Sequence, residues 1–422
     1  MSPTTWRRTQ DDREMATGRD NEHHARGWTI AWTLAFTELV SWGILYYAFT
    51  ALLVPMQDEM GWSAAALTGA YSLSMLVSGL AAPFIGRWLD THGPRALMTA
   101  GSVLGTVLVL AWARVETLPG FYLIWIGIGL ASAATLYEPA FATIAQWFRH
   151  GRSRAMLLVT ILGGFASTVF LPLTGWLVDR NGWRDALLIL AVILAITTIL
   201  PHAIVLRPMP RQAPPTGRTS SPSISSPTFG VMLREPIFLR MSIAFFLQTT
   251  TSIAIAVHLI AFLVERGQSA TFAAWVAGLI GAAQVAARIF TTMFERRFSI
   301  VSLTAMMFAF QVVAIALLVV TDHAAGIIAA VIFLGMGRGA ITLLRPGLVM
   351  TFYDVRQFGS INGLQTLIVT IGRSVAPVMT GVAAGLVGGY IPVFWAYAAF
   401  SLVSAWIILP LRHAVPNGRE TA

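Results

Sequence analysis

The sequence predicts an all-α integral membrane protein: twelve transmembrane helices in two six-helix halves, built from inverted three-helix repeats. Three observations carry that reading. Charged residues make up 11% of the chain, hydrophobic residues 56%, and mean hydropathy is +0.70, whereas soluble domains carry about 25% charged residues. Twelve apolar runs are long enough to cross a bilayer, which takes roughly 20 residues. One short loop pattern occurs twice. GRWLDTHGPR at 86–95 and GWLVDRNGWR at 175–184 share Gly, Asp, Gly and Arg at one spacing.

The elements follow in order. Residues 1–27 mix Arg, Asp, Glu and His with little apolar content. They read as a disordered cytoplasmic tail and not as a cleaved signal, because the apolar run behind them is too long and lacks a small-residue cleavage site. The first half, 28–206, holds spans near 28–54, 64–86, 96–114, 120–147, 154–178 and 185–206. Residues 207–237 begin RPMPRQAPPTGRTSSPSISS, a Pro/Ser/Arg composition that cannot build a core, and read as a cytoplasmic linker. The second half, 238–410, holds spans near 238–264, 271–293, 300–320, 324–350, 360–387 and 390–410, and 411–422 form a second cytoplasmic tail.

Charge sets the orientation. All 28 basic residues are Arg, and the pI is near 10.7. With the N-terminus inside, cytoplasmic segments hold 20 Arg and outer loops hold 4. That bias places both termini in the cytoplasm. It also explains the basic pI by anionic lipid, with no need for nucleic acid. The expected location is the bacterial cytoplasmic (inner) membrane, with a multi-pass chain functional as a monomer.

The repeated loop then has a meaning. Its first copy joins spans 2 and 3 on the inside, and its second joins spans 5 and 6 on the outside. One motif on opposite faces, three spans apart, marks an inverted repeat. A further symmetry relates the halves. GIGLASAATLYEP at 127–139 is echoed by GMGRGAITLLRP at 335–346, and PLTGWLVDRNG at 172–182 by VMTGVAAGLVG at 378–388. Gly86 permits close helix approach, and Asp90 and Arg95 can pair at a cytoplasmic gate. The plainer alternative is a turn that only sets topology.

GRWLDTHGPR resembles the loop 2–3 signature of the major facilitator superfamily. Gly86, Asp90, Gly93 and Arg95 match it, while Thr91 and Pro94 stand where that signature has basic residues. The resemblance covers all twelve spans and implies a transporter whose gate includes those four residues. GWS at 61–63, GWR at 182–184 and a lone Arg in span 8 are similar to the monocarboxylate and oxalate/formate branch. The acidic-Gly-Gly pattern of that branch is absent from span 1, which reads ELVSWG, and the antiporter signature of span 5 is absent too.

Charged groups cost about 3 kcal/mol or more at mid-bilayer and persist where they pair or face water. Arg288, Arg338, Arg345 and Arg373 fall inside spans of the second half, and Glu38 and Glu138 inside spans of the first. A cationic wall facing an acidic wall is therefore expected between the halves. Arg suits bidentate carboxylate recognition. Arg288, counted near mid-depth, is the leading substrate-binding candidate, and a span 8 Arg binds the anion in the carboxylate transporters the chain resembles. Arg338 and Arg373 are further candidates. Glu38 and Glu138 are candidate proton carriers. Arg345, at the pseudo-equivalent of Glu138, is a candidate gate latch pairing with it; Glu138 with Arg95 is the alternative pairing. His258 is a lesser proton site. Trp42, Tyr46 and Tyr47, with Gln248, Thr249, Thr250, Thr251, Ser252, Gln284, Asn362 and Gln365, are candidate cavity linings. Pro139, Pro172, Pro346 and Pro377 are expected kinks.

The chain has no Cys, no Lys for a phosphate loop, no zinc pattern and no nucleophilic triad. An enzyme, a cofactor and a metal site are not expected. The reading is a secondary transporter moving a small organic anion, a monocarboxylate in particular, with protons by alternating access. The alternatives are proton-driven efflux of drugs, metabolites or inorganic oxyanions, and uptake of a neutral nutrient such as a vitamin.

Overall fold

A computed structural model describes residues 25–148, 151–206 and 229–414, and the elements assigned in it are helices. The expected N-terminal tail and linker fall largely outside that range. What is described of them is mostly helical: α1 is already wound at Ala25, a short helix spans Phe229–Met232, and after a turn α7 begins at Pro236.

Twelve membrane-crossing helices result. They are α1 (25–60), α2 (Ala64–His92), α3 (Pro94–Ala113), α4 (Leu118–Trp147), α5 (152–181), α6 (183–204), α7 (Pro236–Glu265), α8 (Ala270–Phe294), α9 (Ile300–Val320), α10 (Ala324–Phe352), α11 (Phe358–Val387) and α12 (Tyr390–Ile408). α5 and α6 run as one stretch, Arg152–Ile204, interrupted at Gly182. At 53 residues it is far longer than one crossing needs. Side-chain caps mark several starts: Ser63 accepts from Ala66 N, Ser269 from Phe272 N, and Glu235 from Ile237 N and Phe238 N.

The inverted repeat is visible in the backbone. Gly93 has φ 78°, ψ 179° and Gly182 has φ 78°, ψ 164°, a region essentially open to glycine alone. Both copies of the loop reverse the chain through the same conformation. The echo between α4 and α10 differs by one residue, and α4 spends the extra residue on a break: Leu136 has φ −85°, ψ −159°, while α10 runs unbroken. Pro139 follows that break, but Pro172, Pro346 and Pro377 lie inside helices that continue through them. Wide π turns also occur at Gly43–Tyr47 and Ala195–Ile199. Such turns commonly accompany functional sites.

The helices form two groups with an unequal seam. Call the side carrying Ala25, the linker ends and Ala414 the terminal face, and the other the distal face. Toward the distal face each half keeps its own core, one around Trp112, Trp125 and Phe170, the other around Phe262, Leu318 and Phe394. Toward the terminal face one core joins both halves, with Phe141 and Met156 packed in the same cluster as Phe245, Leu348 and Ile361. The seam is shut at the terminal face.

Candidate functional site

The outer layer of the terminal seal is a crossing of α2 and α11. A Cβ on Gly86 would lie 2.0 Å from the carbonyl oxygen of Gly359, and one on Gly363 would lie 2.4 Å from that of Ala82. Only bare backbone fits. Asp90 then reaches across the seam. Its carboxylate accepts from Gly359 N at 2.9 Å, Ser360 N at 2.7 Å and Ser360 Oγ at 2.6 Å. The two backbone donors are free N–H groups of the first turn of α11, where a helix favours negative charge. The expected Asp90–Arg95 pair does not form. Gly93 and Pro94 turn the chain so that Arg95 starts α3 and is exposed, and no described ion pair involves it.

The next layer holds the expected cross-half pair. Arg345 Nη2 stands 3.5 Å from Glu138 Oε1, and Thr366 Oγ1 donates to the same oxygen at 3.3 Å. Beside it Arg288 Nη1 donates to the Thr160 carbonyl of α5 at 2.6 Å, while its Nε has no partner. Arg288 is buried, and as the nineteenth of the 25 residues of α8 it lies past mid-depth, toward the terminal face. The expected mid-depth position is thereby corrected; even the span bounds read from the sequence, 271–293, put residue 288 in the last third.

Arg338 and Arg373 occupy the centre, at positions fifteen of 29 in α10 and sixteen of 30 in α11. They lie within electrostatic reach of each other. Neither they nor Arg288 form an ion pair among the described residues. The facing wall is aromatic and not acidic, which corrects the expected arrangement. Tyr47 is within electrostatic reach of Arg288 and Arg338, Tyr137 of Arg288, and Tyr71 of Arg373. Glu38 is fully enclosed; its carboxylate oxygens make no well-aligned hydrogen bond, the Trp42 side chain is its nearest donor, and Glu138 lies within electrostatic reach. Glu138 is taken up in the floor. The cause is local: the wide turn at Gly43–Tyr47 leaves Tyr46 and Tyr47 half-buried side by side, and a Cβ on Gly43 would strike the Phe170 ring at 2.2 Å. α1 thus sits tight on α5 and turns its rings to the seam.

Other candidates divide. Gln248 and Gln365 are buried with both amide atoms unpartnered, and Asn362 Oδ1 is likewise free. His258 bonds to the Pro377 carbonyl at 3.0 Å and Tyr390 at 3.1 Å, so both ring nitrogens are occupied. Tyr71, Tyr137, Thr160 and Ser360 escape the sequence reading, because each joins the site only through contacts between distant helices.

The distal copy of the repeated loop is undocked. Gly175 has no atom within 4 Å of where its Cβ would be, and Asp179 is exposed. Its Arg184 instead ties the first half together, donating to Glu59 at 2.8 Å and to the Ala113 and Val115 carbonyls. Arg184 and the indole N–H of Trp183 hold the Glu59 carboxyl below its usual range.

A twelve-helix fold whose two halves meet at one face, with arginines along the seam between them, is the architecture of a membrane transporter rather than an enzyme. The Major Facilitator Superfamily pattern matches residues 31–377, and the chain belongs to that family. It is 25% identical over 386 residues to Monocarboxylate transporter 13 of Bos taurus, covering 90% of this chain and 86% of that one. It is 27% identical over 203 residues to the Oxalate:formate antiporter of Oxalobacter formigenes, covering 47% of each. Its fold matches a crystal structure of a bacterial homologue of the iron transporter ferroportin in the outward-facing state, with TM-score 0.72 at 14% identity over 91% of this chain and 99% of that one.

Proposed function

We propose that this transporter moves a small organic anion, a monocarboxylate in particular, together with protons by alternating access. The observation that carries the reading is the uncompensated charge along the seam, from the centre toward the terminal face. Arg288, Arg338 and Arg373 share one wall, and no described carboxylate pairs with any of them. Guanidinium groups stay charged in proteins, so the site asks for an anion from outside. The names of the monocarboxylate and oxalate:formate relatives support the same class.

Glu38 supplies the proton step. A carboxyl enclosed without an ion-pair partner carries a proton in preference to a bare charge. Glu138 is its electrostatic neighbour and is bound to Arg345 across the seam. Opening the terminal side pulls that pair apart and changes the field at Glu38, which couples proton movement to the gate.

On this reading the Arg-rich terminal face is the cytoplasmic one, in a bacterial inner membrane. The described conformation is then outward-open, with Gly86 and Asp90 forming the inner latch and Arg345 the one behind it. By the inverted repeat, Gly175 and Asp179 take the latch role when the distal side closes.

The test is a thermal-shift screen of the detergent-purified chain against small carboxylates, oxyanions, vitamins and cationic or neutral drugs, with Arg288→Gln and Arg338→Gln alongside. A ligand that binds only the folded state raises the melting point. Stabilisation by a carboxylate, lost in either variant, supports the reading. Stabilisation by bulky drugs alone, unchanged in both variants, overturns it in favour of an exporter.

A further inference from the structure

The wall opposite the arginines is a continuous layer of rings. Ring centroids lie 5.0 Å apart for Trp42 and Tyr46, 4.9 Å for Tyr46 and Tyr47, 5.4 Å for Tyr46 and Tyr71, and 5.0 Å for Trp42 and Tyr137. α1, α2 and α4 all contribute, and Tyr46 is the hub. A second rank stiffens the first. Phe49 stacks on Tyr71 at 4.7 Å, and Trp125 meets both Tyr71 and Phe49 edge to face.

These rings are not a lipid belt. Those of Tyr46, Tyr47, Tyr71 and Tyr137 each lie within electrostatic reach of an arginine from the opposite half, which places them across the seam. All five rings are half-buried. The Tyr47 and Tyr137 hydroxyls make no hydrogen bond to another described residue.

A two-carbon acid would satisfy the arginines and leave this layer facing water. Rings prefer edge-to-face or offset partners and add to affinity beyond their buried area. A layer already held in place meets such a partner without ordering cost. Resting on the anion reading above, we propose that the substrate is a carboxylate with an aromatic body, of the arylalkanoate class. Its carboxylate lies toward Arg338 and Arg373, and its ring lies against Tyr46. Tyr46 is then a specificity-determining residue.

The experiment is calorimetric titration of the purified full chain with phenylacetate, cyclohexylacetate, acetate and phenylacetamide. It uses wild type, Tyr46→Leu, Tyr46→Phe and Arg338→Gln. Phenylacetate is expected to bind at least about tenfold tighter than acetate, and about two- to tenfold tighter than cyclohexylacetate, the size of one aromatic pair. Tyr46→Leu should bring phenylacetate down to cyclohexylacetate, and Tyr46→Phe should keep the preference. Acetate binding as tightly as phenylacetate, or a phenylacetate-to-cyclohexylacetate ratio unmoved by Tyr46→Leu, overturns the aromatic class and leaves the anion reading standing. Phenylacetamide binding as tightly as phenylacetate, in wild type and Arg338→Gln alike, overturns the anion reading itself. Failure of all four to bind overturns the proposal.

Discussion

Gly86→Ala should hold the transporter open at its terminal face. The added methyl would sit 2.0 Å from the Gly359 oxygen and 2.4 Å from its carbonyl carbon. Both obstacles are backbone, so no side chain can swing away. Reaching an ordinary contact requires α2 and α11 to part by at least about 1 Å. That displacement strains or breaks the three hydrogen bonds from Gly359 and Ser360 to Asp90, now at 2.6–2.9 Å. Hydrogen bonds to a charged group contribute about 1.5–3 kcal/mol each. Water replaces part of this once the seam opens, so a net loss of about 2–4 kcal/mol is a reasonable scale. It shifts the closed-to-open ratio by about 30- to 1000-fold. The assay exploits a chain with no native cysteine. Ile361→Cys places one thiol at a fully buried position of the terminal core. In inverted and right-side-out vesicles, a membrane-impermeant maleimide should label it slowly in the parent and at least about tenfold faster with Gly86→Ala, from the terminal face only. Substrate exchange should fall in parallel. Equal labelling rates with normal transport would refute the packing argument.

Other outcomes follow from the same geometry. Gly182→Ala meets no steric obstacle but forces a side chain to φ 78°, ψ 164°, so the melting point should drop by an amount equivalent to about 1–3 kcal/mol, and Gly93→Ala, at a buried position with φ 78°, should drop it at least as far. Glu138→Gln and Arg345→Gln should each impair transport, and a double-mutant cycle on transport rate should give a coupling energy of at least about 0.5 kcal/mol; strict additivity would show the pair to be incidental. Glu38→Gln should leave substrate binding in place while abolishing accumulation driven by a pH gradient, read with a pH-sensitive dye inside proteoliposomes. Glu59 has its carboxyl held low by Arg184 and Trp183, so its contribution to stability is full above the ordinary carboxylate range and fades as pH falls through and below it. Melting curves of Glu59→Gln against the parent should therefore converge toward acid pH and separate at neutrality.

Much of the architecture is written locally and was open to reading. Twelve spans and the repeat follow from composition, run length and one loop pattern, because a bilayer forces each crossing to satisfy its own backbone. The loop glycines are local too: Gly93 and Gly182 sit in conformations only glycine holds cheaply, so the pattern that revealed the repeat also fixes its turn. The half-to-half repeat makes Glu138 and Arg345 equivalent positions in α4 and α10, which offered their pairing as one of two readings; the packing decided between them.

Tertiary structure decided what each charge does. Asp90 was expected to pair with Arg95, five residues along, and instead caps α11 more than 260 positions away, a partner that exists only when the halves close. Arg288 was expected at mid-membrane, but it sits in the last third of α8, toward the floor, where the Thr160 carbonyl takes it up. The acidic wall inferred from Glu38 and Glu138 became an aromatic one, because a wide turn in α1 and the close seat of Gly43 on Phe170 turn Trp42, Tyr46 and Tyr47 to the seam. Sequence alone determined which segments lie in the membrane and how they repeat, since those depend on each helix and its solvent. Which side chains meet across the seam depends on helix rotation and close approach between remote segments, and only the packed structure sets those.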